Sequence, residues 1–142
     1  MASGDDLFER ARNGDADALF QLGVNHLYGT IGPKDPVLAA GYFEQAAGKG
    51  HVPAMRELGI LKASGEGVDP EPTEGARLLG IAADELDPSA MYHLGLMYDK
   101  GIGVPVDKQK ADRLLADAAM MGFPGAEIDA QRLDDELTAE RN

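Results

Sequence analysis

AMYHLGLMYDKGIGVPVDKQKADRLLADAAMMG, residues 90–122, decides the fold, because its pattern stands twice more in the chain, 36 residues apart each time. Sliding the sequence against itself by that interval brings Ala18, Ala54, Ala90 and Ala126 into one column without a gap. Leu22-Gly23 then falls on Leu58-Gly59 and Leu94-Gly95, Gly29 on Gly65 and Gly101, and Ala46-Ala47 on Ala82-Ala83 and Ala118-Ala119. A fixed period of this length marks a chain of stacked supersecondary units.

Each unit reads as two helices. The first runs from the column alanine to the Gly29, Gly65 or Gly101 column, where glycine takes the left-handed conformation that ends a helix. The second starts near Asp35, Glu71 or Asp107 and reaches the paired alanines, and Asp35-Pro36 is a capping residue followed by proline in the first turn. Its apolar residues, Ala39, Tyr42, Phe43, Ala46 and Ala47, are spaced three and four apart and recur in the other two units. Large and small residues alternate along that stripe, which lets antiparallel helices approach closely. No segment carries the alternation of a strand.

The expected fold is therefore all-α, a right-handed superhelix of helix-turn-helix units forming a single domain over residues 1–142. Full repeats fall at 18–53, 54–89 and 90–125. Residues 1–17 form a half-unit, since Leu7, Ala11 and Gly14 match Phe43, Ala47 and Gly50, and 126–142 form a capping helix with Ala130-Gln131 in place of Leu-Gly. Solenoids need such atypical ends to cover their exposed core.

The third unit closely resembles the Sel-one-like repeat, a relative of the tetratricopeptide repeat. Ala90, Leu94-Gly95, Tyr98, the Gly101-Ile102-Gly103-Val104 link, Asp107, Lys110-Ala111, Ala118-Ala119 and Gly122 carry the likeness. The other units depart from it: Ile31-Gly32 replaces Gly103-Val104, His26 and Lys62 replace Tyr98, and Leu86 replaces the closing glycine. The resemblance implies a scaffold whose first helices line a concave groove used for protein–protein interaction. A cysteine-rich branch of the family is associated with β-lactam binding or hydrolysis; this chain has no cysteine and does not resemble it closely.

Composition narrows the partner. Twenty-five acidic against thirteen basic residues give a net charge of -12, which repels phosphate backbones and anionic lipid heads and favours a basic protein kinetically. Nucleic acid and membrane are poor partners, and no apolar run has signal-peptide or membrane-helix length, so a cytoplasmic monomer is the expectation, with self-association through the exposed end helices as the alternative.

On a helical wheel the column alanine and the leucine of Leu-Gly share one side of the first helix. The opposite side carries Phe20, Val24, Leu27 and Tyr28, then Arg56, Ile60, Ala63 and Ser64, then Tyr92, Leu96, Asp99 and Lys100. Among these candidates the uniform column Val24, Ile60 and Leu96 reads as packing between neighbouring first helices. The variable column Phe20, Arg56 and Tyr92 is the sharper expectation for partner contact, being aromatic or arginine.

Catalytic signatures are missing. His26, His51 and His93 follow no metal-binding spacing, and Ser3, Ser64 and Ser89 have no nucleophile-elbow context. The Gly65-Glu66-Gly67 and Gly101-Ile102-Gly103 strings lack the preceding strand and following lysine of a phosphate loop. No cofactor or metal is expected, and a non-enzymatic adaptor is the leading reading. The alternatives are an acidic inhibitor or immunity protein that blocks a toxic enzyme and, with less support, a small-molecule binder or hydrolase.

Overall fold

The structure is a computed structural model and describes residues 4–142; residues 1–3, where the expected first half-unit begins and where Ser3 lies, are outside the described residues. Among the described residues there are eight helices and no strand: α1 Gly4–Arg12, α2 Ala16–Tyr28, α3 Pro36–Ala47, α4 Val52–Ser64, α5 Pro72–Asp84, α6 Pro88–Lys100, α7 Lys108–Met120 and α8 Ala126–Arg141. Helices α2 with α3, α4 with α5, and α6 with α7 form the three units, and each second helix also packs on the first helix of the next unit.

The first helices begin two residues before the column alanine. The cause is the residue that precedes them: the side chains of Asp15, His51 and Asp87 accept hydrogen bonds from the backbone N–H of Ala18, Ala54 and Ala90 at 3.2, 3.2 and 3.0 Å. The alanine of each unit is thus the third helical residue and is essentially fully buried. Gly29, Gly65 and Gly101 end these helices at φ of 73°, 79° and 71°. Asp35 and Asp107 cap α3 and α7 through Leu38 and Lys110, both at 3.0 Å, whereas Glu71 makes no cap bond and pairs with Lys62 instead.

Within each unit the Leu-Gly glycine is a point of close approach between the two helices. A Cβ on Gly23 would sit 2.5 Å from the Phe43 ring, one on Gly59 2.9 Å from Leu79, and one on Gly95 3.0 Å from Leu115. Phe43, Leu79 and Leu115 are completely buried, so the large residue of the second helix fills the space that the glycine leaves.

Between units the glycine of the link does the same. At Gly67 and Gly103, with φ of 77° and 74°, a Cβ would come within 2.3 Å of the carbonyl oxygens of Pro36 and Pro72, which open the second helix of the preceding unit. Ile31 stands in that column in unit one, where no preceding unit offers such a proline, and it is exposed. That accounts for the departure of unit one from the repeat pattern.

Leu86 replaces the closing glycine and is the one non-glycine residue with positive φ, 66°, among the described residues. Its side chain is exposed. A left-handed leucine costs roughly 1–2 kcal/mol, more than the chain freedom that glycine would add to the unfolded state. Leu86→Gly should therefore stabilise the fold by about 0.5–1 kcal/mol, read as a rise in Tm; an unchanged or lower Tm would mean that the leucine side chain packs to useful effect.

Helix α8 closes the far end. Ala126 and Leu133 are fully buried, while Glu127, Gln131, Asp134 and Asp135 are exposed. Gln131 occupies the column of Gly23, Gly59 and Gly95, so a further second helix could not pack there as it does in the units.

Candidate partner-binding face

Helices α4 and α6 touch each other directly, and no two second helices of neighbouring units meet to the same extent. At α4 and α6 the first helices are therefore the inner, more crowded side of the stack. A hollow of about 290 Å³ opens between α4 and α6. Ile60, Ala63, Leu96, Met97 and Ile102 wall it, Leu79 of α5 reaches it from below, and Ser64, His93 and Lys100 supply its polar edge. A second hollow of about 340 Å³ reaches α2, bounded by Leu27, Tyr28, Ile60 and Leu61 with Lys34, Glu57, Glu66, Ser89 and His93 around it. Ile60 and His93 line both, so the two hollows are neighbours on one face, a trough that borders three first helices.

Four of the expected contact residues, Leu27, Tyr28, Ile60 and Leu96, line this trough, as do Ala63, Ser64 and Lys100. Val24 is half-buried against the core formed by the first units.

The variable column is committed elsewhere. Phe20 lies 4.9 Å from the His51 ring, Arg56 bonds Asp87 at 2.8 Å, and Tyr92 stacks on Phe123 at 4.8 Å. Each partner stands 31 residues on, in the column that precedes the next first helix. His51 and Asp87 are also the N-caps of those helices, so these side chains join one unit to the next. Tyr92 further donates its hydroxyl to Asp129 of α8 at 2.7 Å. None of the three appears in the trough lining.

Asp99 is a correction to the expected groove. It is 5% exposed, held by Lys108 at 2.5 Å and Arg132 at 2.9 Å, and absent from the trough. Burial pushes its carboxyl upward, but hydrogen bonds from Lys108 and Arg132 outweigh it, and the pKa lies below the usual carboxylate value. A depressed carboxylate contributes stability that is present above its unfolded pKa and lost as pH falls through the folded one. Asp112, raised by burial and then by Asp134 on α8, works in the opposite sense, losing stability as pH rises through the carboxylate range. We expect acidification below the ordinary aspartate range to weaken the α8 attachment in wild type, seen as faster amide exchange in residues 126–141. Asp99→Asn should flatten that dependence, and equal pH profiles for both proteins would disprove the assignment.

His93, Met97, Ile102 and Glu57 belong to the trough without having been singled out for it. Nδ1 of His93 lies 2.8 Å from the Ser89 carbonyl oxygen, which only accepts, and 3.4 Å from the Ser89 hydroxyl; the shorter contact requires Nδ1 to carry the hydrogen and donate. In the neutral ring Nε2 is then an acceptor. Met97 is 5% exposed and reaches the trough as part of its floor.

Among the described residues no group of three His, Asp or Glu side chains is placed to hold a metal ion, and no helix is long and apolar enough to cross a membrane. What the fold and face define is a helical-repeat solenoid with an apolar inner trough. The Sel1 repeat pattern matches residues 16–51, 52–85 and 88–123, and the chain belongs to the Sel1 repeat family.

Two solved structures illustrate the likeness. A protective antigen of uropathogenic Escherichia coli with an SLR fold is 32% identical, with a TM-score of 0.80 over 89% of this chain and 27% of that one. A Sel1 repeat protein from Oxalobacter formigenes is 33% identical, with a TM-score of 0.76 over 89% of this chain and 96% of that one. The chain thus spans about a quarter of the length of the first, whose whole-protein role does not transfer with the repeats. No curated protein sequence matches the chain. Sel1 repeat proteins generally mediate protein–protein interaction and are typically non-enzymatic scaffolds.

Proposed function

We propose that this chain is a non-catalytic adaptor that holds a partner protein in the trough formed by α2, α4 and α6. The observation that carries the reading is the trough itself, whose part between α4 and α6 is an apolar surface that no described element of the chain covers. Uncovered concave apolar surface with a few polar groups is the ordinary form of a binding site. The test is partner capture with wild type beside an Ile60→Gln, Leu96→Gln double variant whose helicity has been checked. Loss of at least tenfold in retained partner is expected, and undiminished retention would move the contact to another face.

A second reading rests on the charge of -12, which suits an inhibitor steered onto a basic enzyme. It predicts an association rate that drops by an order of magnitude or more between low and physiological salt. A rate indifferent to salt would dispose of it.

A further inference from the structure

We infer that the hollow between α4 and α6 takes the carboxyl-terminal residue of a partner chain, its apolar side chain in the hollow and its terminal carboxylate on Lys100. This rests on the adaptor reading and names the partner's chemistry. Size comes first. At about 290 Å³ the hollow lies at the lower edge of what drug-sized ligands occupy, and suits one or two large side chains.

Charge decides the rest. In a chain with net charge -12, several cations near the first helices are already paired: Arg56 with Glu57 and Asp87, Lys62 with Glu71, and Arg132 with Asp99 and Glu136, while Lys34, which has no ion pair among the described residues, lines the neighbouring hollow and not this one. Lys100 makes no ion pair among the described residues and lies on the wall of the hollow itself. An anion there must be attached within a few bonds of the apolar group that fills the hollow. A carboxyl-terminal residue meets that demand, because one Cα carries both its side chain and its carboxylate. An internal Asp or Glu would present its charge from a different residue, and an acidic run would meet the repulsion of the whole chain.

The third polar group fits the same guest. His93 spends its Nδ1 hydrogen on Ser89 and keeps Nε2 as an acceptor, the complement of a backbone N–H on the docked segment. It lies seven residues before Lys100 on the same helix, two turns along, so guest backbone running beside α6 passes between them.

The experiment is selection from a random library of eight-residue peptides with free carboxyl termini, followed by fluorescence polarisation on the enriched sequences. Enriched peptides should end in Leu, Ile, Met, Val or Phe. Amidation of the terminus and Lys100→Gln should each weaken binding about tenfold or more, with Lys100→Arg close to wild type. Lys100 is exposed at a helix end, so loss of folding does not confuse the result. Enrichment of peptides without an apolar last residue, equal binding of amides, indifference to Lys100→Gln, or no enrichment at all would each overturn the inference. The adaptor reading falls separately, only if the Ile60, Leu96 double variant retains a captured protein as well as wild type does.

Discussion

Gly75→Ala should cost about 2 kcal/mol, while Gly80→Ala, five residues along the same helix, should gain about 0.5–1 kcal/mol. Both replace glycine in the middle of α5, where alanine is the better helix former. The difference lies in what the new methyl group meets. At Gly75 it would lie 2.7 Å from the Gly59 carbonyl oxygen and 3.0 Å from the Ala63 nitrogen, both backbone atoms of α4 that cannot swing aside. At Gly80 there is nothing within 4 Å. Relief at Gly75 requires α4 and α5 to separate, which also strips contacts from the fully buried Leu79. Thermal denaturation of the two variants beside wild type reads both signs at once, with a Tm shift of about 6–10 °C downward expected for Gly75→Ala. Two shifts of the same sign would show that propensity and not close approach governs this helix.

The same contrast explains which parts of the molecule were legible in sequence. Gly23, Gly59 and Gly95 recur because each meets a large buried residue of its own unit, and a contact repeated three times leaves a column. Helix ends were legible for the same reason, through Gly29, Gly65 and Gly101. Ile31 shows the limit of the pattern, since its column needs glycine only where a preceding unit supplies a proline carbonyl.

The binding face was harder to read, because a helical wheel gives a direction and not a neighbour. Phe20, Arg56 and Tyr92 differ from unit to unit, and variation in a solenoid suggests adaptation to a guest. Their differences instead follow His51, Asp87 and Phe123, the residues they touch. That match is present in the sequence at a spacing of 31, but nothing marks that spacing until the units are stacked. Asp99 was misplaced for a similar reason: Lys108 and Arg132, which draw it inward, lie on two later helices. His93 was weighed in the sequence only as a metal ligand, because its place in the trough depends on which ring nitrogen is already bonded.

Arg56→Ala should destabilise the protein by about 3 kcal/mol, the low end for breaking a buried ion pair, since the guanidinium keeps some solvent. Asp87 is the cause of the loss. Its side chain is 8% exposed and would retain its cap bond to Ala90 while losing the cation that balances its charge. The Phe20–His51 junction solves the same geometric problem without that ion pair: a ring packs at a tilt of 37° against an imidazole whose Nδ1 caps the next helix and whose Nε2 lies 2.9 Å from Asp17. Transplanting it supplies the decisive comparison. Arg56→Phe alone leaves Asp87 unpaired, and Asp87→His alone sets an imidazole against a guanidinium. The double variant rebuilds a pair that the fold already uses and should recover at least 1 kcal/mol relative to the sum of the single losses. Strict additivity would show that the two columns vary independently, which would return Arg56 to the surface residues open to a partner. A positive coupling measured by denaturation keeps it as a joint between repeats, and leaves Ile60, Leu96 and the trough beside them as the face on which a partner is met.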